Sequence, residues 1–181
     1  ADRPHVIIGD FGEAHCQEYC WDAENGLGSE FQFSSRGTEA IKSPEMLRVC
    51  NEAHARQRDG FDRRRVFEWG TSASSDVWAL GCLVYEILCG SFLFEEALQD
   101  WPRFFTRLQE DPLKPTDGEE GLPVLPEVKV CELKARLGEE AAQRIVEQLL
   151  HPLLTRNSLR RPTARQAHFR LDQFLESFEG A

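Results

Sequence analysis

The chain has 181 residues, 41% hydrophobic and 29% charged, enough for one globular domain with a sizeable core. Its net charge of −10 argues against generic attraction to nucleic acid or to an anionic membrane surface. No signal peptide is legible where Asp2, Arg3, Pro4 and His5 break any apolar run. The longest apolar stretch, 77–94, is interrupted by Glu86 and punctuated by glycine, so no membrane span is predicted.

Val6, Ile7 and Ile8 are β-branched and predict a short buried strand. It leads into Asp10, Phe11 and Gly12. An acid at a strand tip followed by a glycine hinge suits a metal ion that holds phosphates. Residues 13–36 include Gly26, Gly28, Ser29, Ser34 and Ser35 without an apolar period, which predicts a mobile loop. His15, Cys16 and Cys20 fall in this stretch but lack the paired spacing of a full zinc ligand set. The other cysteines are Cys50, Cys82, Cys89 and Cys131. Cys82 and Cys89 sit in an apolar run and read as small core residues, and reduced thiols are the default. The expected location is the cytoplasm, with the nucleus as the alternative.

Ser43, Pro44 and Glu45 predict a helix start: a serine cap, proline at the first helical position, an acid in the first turn. This helix is expected to run through Leu47 toward Ala53. Residues 54–75 are polar and Arg-rich. Between 48 and 65, Arg48, Arg56, Arg58, Arg63, Arg64 and Arg65 outnumber Glu52, Asp59 and Asp62. A solvated loop is the plain reading, and a docking patch for a regulatory protein is the sharper one. The strongest helix is predicted from Asp76 to Cys89, capped by Ser74 or Ser75 and ended by Gly90 in the left-handed conformation. It is apolar on nearly every face, as in a helix buried inside a larger domain.

Trp101, Phe104, Phe105 and Leu108 form a helical stripe that reads as core. Residues 111–127 are proline-rich and acidic and predict a loop. Leu137, Ala141, Ile145, Val146, Leu149 and Leu150 recur at helical spacing, with Pro152 expected beyond that helix. Thr163 and Gln166 form a capping box that opens a last helix bearing Ala167, Leu171, Phe174 and Phe178 on one face. The sum is one mostly helical domain.

Four motifs stand in a fixed order: Asp10-Phe11-Gly12; Gly37-Thr38 through Ser43-Pro44-Glu45; Asp76-Val77-Trp78-Ala79-Leu80-Gly81; and Arg160-Arg161-Pro162-Thr163. In that order they resemble the C-terminal lobe of a eukaryotic protein kinase of the serine/threonine type, over nearly the whole chain. The implied fold is mainly α: the C-terminal lobe of the protein-kinase-like α+β fold, with a short β segment before Asp-Phe-Gly. The implied organisation is a partial kinase domain over 1–181, with an activation segment at about 10–45 and an insertion at about 54–75.

The resemblance implies that Asp10, with Phe11 and Gly12, belongs to the catalytic centre and that Asp10 binds Mg2+, the ion that neutralises the phosphates of ATP. It implies that Gly37 and Thr38 face the protein substrate. It further implies that Glu45 and Arg161 form a buried ion pair, and that Asp76 caps the backbone of the catalytic loop. Ser34 and Ser35 are the candidate phosphorylation sites, because activating sites in the family lie a few residues before the position of Thr38. Ser43 departs from the family's usual Ala, a mild change.

Only nine residues precede Asp10, and the family's Gly-rich loop, ATP-anchoring Lys and catalytic loop do not fit in them. The expectation is therefore an inactive piece of a kinase. The intact protein would transfer the ATP γ-phosphate to a protein hydroxyl. The alternative is a pseudokinase or scaffold module that binds protein partners without catalysis.

Overall fold

The computed structural model describes residues 7–10, 14, 38–47, 72–95 and 125–179. Helix α1 spans Ala73–Cys89. Its cap is Ser72, whose Oγ accepts the Ser74 N–H, while Ser75 Oγ accepts the Ser72 N–H, each at 3.4 Å. This reciprocal box starts the helix three residues before the Asp76 expected from sequence, with Ser72 rather than Ser74 or Ser75 as the cap. Residues 72–75 of the predicted Arg-rich loop thus belong to this cap and first turn, and residues 54–71 lie outside the described residues. At the other end Gly90 adopts φ 69°, and its N–H reaches Glu86 O at 2.7 Å. A left-handed glycine is the usual way to satisfy a last-turn carbonyl.

One side of α1 supplies Val77, Trp78, Gly81, Cys82, Tyr85 and Cys89 to the interior. The opposite side does not match the expectation of a helix buried all round: Leu83 is 48% and Ile87 73% exposed. No described element packs there. Gly81 marks the closest approach on the buried side. A Cβ at this position would lie 2.9 Å from Leu154 Cδ2 and 3.0 Å from Leu153 Cβ. Gly81→Ala should gain about 1 kcal/mol of helix propensity. Overpacking of about 1–3 kcal/mol should outweigh that gain. The expected result is a lower denaturant midpoint; a raised one would mean that residues 153–154 yield freely.

Helix α2, Glu127–Leu137, begins at the last residue of the loop predicted over 111–127 and fills a stretch, 128–136, for which no element is expected from sequence. Its apolar residues are interleaved with charged ones, and Leu133 is its only buried residue, so no strong period announces it. Polar contacts hold it to α1. Tyr85 donates its hydroxyl to Glu132 Oε2 at 2.8 Å, and Ser91 donates to Glu132 Oε1 at 2.9 Å. Lys129 Nζ lies 3.2 Å from Glu132 and 5.4 Å from the centre of the Tyr85 ring. The hydroxyls of Tyr85 and Ser91 hold the Glu132 carboxyl below its usual pKa.

Gly138, at φ 84°, breaks the chain between α2 and α3, Glu139–Ile145. Leu137 thus ends α2 instead of opening the next helix. Beyond α3 the path widens into a π turn, Val146–Leu150, in which the His151 N–H bonds to Val146 O, five residues back. Pro152 lies inside the closing turn, His151–Leu153, and not beyond it as expected. Proline has no N–H to give and its ring crowds the carbonyl four residues earlier, which accounts for the wider turn before it.

Helix α4 spans Ala164–Glu179. Thr163 N–H donates to Gln166 Oε1 at 2.8 Å, and Gln166 N–H donates to Thr163 Oγ1 at 3.3 Å, the capping box read from sequence. Ala167 and Phe174 are buried and Leu171 is partly so; the Phe178 side chain lies outside the described residues.

The main core joins Leu47 to Trp78, Tyr85, Phe94, Leu133, Leu150 and Phe174. The described fold is mostly helical, as expected. The short β segment is not found: no strand occurs among the described residues. Ile7 and Ile8 are 88% and 79% exposed, so they are not the buried strand expected, and among the described residues they pair with no strand. No helix among the described residues is long and apolar enough to cross a membrane.

Candidate functional site

Residues 43–47 carry the first half of the site. Ser43 Oγ accepts the Met46 N–H at 3.4 Å, and Leu47 N–H reaches Ser43 O at 3.0 Å, so residues 44–47 are helical with Pro44 at the first position. A tight turn, Glu39–Ile41, precedes them, closed by Ile41 N–H to Thr38 O at 3.2 Å. The second half is Arg161, directly after the turn Ser158–Arg160.

These halves meet although 116 positions separate them in sequence. Arg161 Nη2 donates to Glu45 Oε2 at 2.8 Å, and Nη1 donates to Glu45 Oε1 at 2.5 Å. The side chains are 0% and 7% exposed. Three carbonyls take the remaining guanidinium hydrogens. Nε donates to Thr155 O at 2.7 Å, Nη1 to Ser74 O at 3.0 Å and Nη2 to Arg156 O at 3.2 Å. All five Arg donors are therefore used, the condition under which a buried guanidinium is tolerated. Its flat face lies 5.0 Å from the centre of the Trp78 ring, which itself stacks on Phe94 at 5.7 Å.

Glu45 Oε1 has a further donor, Ser75 Oγ, at 2.8 Å. Burial pushes the Glu45 carboxyl pKa upward, but the hydrogen bonds and charge of Arg161 outweigh it and leave the group below the usual carboxylate value. The cluster thus stays ionised at neutral pH and ties together three segments: residues 43–47, the start of α1 and residues 155–161.

The other residues singled out from sequence are not part of this cluster. Asp10 is exposed and has no hydrogen-bond or ion-pair partner among the described residues. Its φ of 58° is the only positive value among the described non-glycine residues. Asp tolerates this left-handed region better than most side chains, and such outliers concentrate at functional positions. Thr38 is exposed. Asp76 sits in the first turn of α1 and is exposed as a residue. Even so, neighbouring atoms desolvate its carboxyl enough to raise the pKa above the usual Asp value. Phe11, Gly12, Ser34, Ser35 and Gly37 lie outside the described residues, as do His15, Cys16 and Cys20.

One exposed carboxylate is not a magnesium–nucleotide site. Mg2+ takes octahedral oxygen coordination from carboxylates, phosphates and water. Among the described residues no three His, Cys, Asp or Glu side chains converge as such a group would require. Asp10 can supply one ligand, and the described residues do not complete the set.

Sequence reasoning did not find Ser74, Ser75, Trp78 or Thr155 as members of the cluster. The serine pair was visible, but only as a helix cap; that one hydroxyl would also reach a carboxylate 30 positions away has no local signal. No family model and no solved structure matches the chain. Over 105 residues, 58% of the chain, it is 44% identical to a probable serine/threonine-protein kinase of Dictyostelium discoideum, of whose length the match covers 4%. A region of this chain is thus related in sequence to a protein named as a probable kinase.

Proposed function

We propose that the chain is the C-terminal lobe of a serine/threonine protein kinase, and that the intact protein transfers the γ-phosphate of ATP to a hydroxyl of a protein substrate. The observation that carries this reading is the 44% identity over 105 residues to a probable serine/threonine kinase. The mostly helical fold is compatible with such a lobe. The meeting of Glu45 and Arg161, the two positions that the motif order pairs, adds support.

In this reading Asp10 holds Mg2+ bound to ATP, with Phe11 and Gly12 beside it. Magnesium supplies charge neutralisation at the phosphate oxygens. The contribution of this chain is then to fix where the substrate lies: the cluster at Glu45 anchors the end of the segment that carries Gly37 and Thr38. A cytoplasmic setting and phosphorylation at Ser34 or Ser35 belong to the same proposal, as does docking of a regulatory protein at the Arg-rich stretch.

The test is an assay with labelled ATP and Mg2+. Residues 1–181 alone should transfer no phosphate, since the sequence contains neither the Gly-rich loop nor the catalytic loop of the family. The intact protein should label a protein acceptor. Robust transfer by the 181-residue chain would overturn the expected inactivity. An intact protein that binds partners and transfers nothing would favour the scaffold reading.

A further inference from the structure

Ser75 is buried and its hydroxyl does two things at once. It lies 2.8 Å from Glu45 Oε1 and 3.4 Å from the Ser72 nitrogen. A hydroxyl has one proton and two lone pairs. An ionised carboxylate cannot donate, so the Ser75 proton points at Glu45 and a lone pair faces the Ser72 N–H. The direction of both bonds is fixed by chemistry. The same carboxylate oxygen also receives Arg161 Nη1, and that nitrogen reaches back to Ser74 O. Ser74, Ser75, Glu45 and the Arg161 guanidinium therefore close a ring of hydrogen bonds.

We propose that Ser75 is a positioning residue, the link by which the first turn of α1 sets the place of residues 43–47 and of the Thr38-containing turn before them. A plain cap would serve only its own helix. Here the Ser75 hydroxyl of the capping box also donates to a charged acceptor from another segment, the stronger class of hydrogen bond. The functional consequence rests on the kinase reading: with Thr38 beside the protein substrate, loosening Glu45 weakens protein-substrate binding and leaves ATP binding alone.

The coupling is tested by amide hydrogen exchange on the 181-residue chain. Losing a hydrogen bond to a charged group corresponds to about 10- to 100-fold in an opening equilibrium. Ser75→Ala should speed exchange by about that factor at Glu45, Met46 and Leu47 as well as at residues 72–76. Ser72→Ala, which removes a cap hydroxyl but not the Glu45 contact, should speed exchange at 72–76 only. Ser75→Thr keeps the hydroxyl and should exchange like the wild type. Faster exchange confined to 72–76 in Ser75→Ala would overturn the proposal, and so would equal loss of protection in Ser75→Ala and Ser75→Thr. In the intact protein, Ser75→Ala should raise KM for the protein substrate about tenfold with KM for ATP unchanged; the opposite split would overturn the assigned consequence. Exchange needs no phosphate transfer. An intact wild type without activity would therefore sink the kinase reading while the coupling is still decided.

Discussion

Replacing Arg161 with Met is expected to destabilise the chain by about 3–5 kcal/mol, the cost of leaving one member of a buried ion pair alone. The Glu45 carboxylate would lose both guanidinium bonds and keep Ser75 Oγ as its closest donor. The carbonyls of Ser74, Thr155 and Arg156 would lose donors as well. Arg161→Lys should recover only part of the loss, because an ammonium has three donors and no fork to match a carboxylate. Nor should the double variant Glu45→Leu/Arg161→Leu be neutral: it removes both charges but not the three carbonyls. Urea unfolding measures each case. A loss below about 1 kcal/mol for Arg161→Met would place the pair in the range of solvated surface bridges.

The same pair sets an acid limit. The folded Glu45 pKa is below its unfolded value, so the folded state binds fewer protons. Its stabilisation is fully present above the unfolded carboxylate pKa and is lost as pH falls through the folded value. Wild type and Arg161→Met should therefore converge in stability as pH drops through that window. A constant gap from neutral to acid pH would mean that the carboxylate is not the group that titrates.

On the proposed kinase reading, Asp10→Asn in the intact protein is expected to reduce phosphate transfer by about 100-fold or more while the fold is kept. The substitution is clean for a reason visible in the backbone. Asp10 sits at φ 58°, and Asn tolerates that region as well as Asp does. Shape and conformation are preserved, and only the carboxylate charge is removed, which in the proposed reading is the charge that holds Mg2+. Stability should change by no more than about 0.5 kcal/mol, as for an exposed site without partners. Turnover near that of wild type would remove Asp10 from the reaction.

The sequence by itself determined the elements whose signals are local. Ser43-Pro44 opens a helix, Thr163 and Gln166 cap another, and Gly90 ends α1, because each device acts within three or four residues of itself. The mostly helical class followed from the same periodicities. Other features depended on contacts distant in the chain. Helix α2 buries only Leu133, and Tyr85 and Ser91 hold it in place through Glu132. The Glu45–Arg161 pair spans 116 positions, so only motif order, not spacing, hinted at it. The second partner of Ser75 and the seat of Trp78 under the guanidinium were legible from neither. A buried charge accepts only a neighbourhood that satisfies every donor and lone pair, and that neighbourhood is assembled by tertiary packing from segments the local code cannot relate.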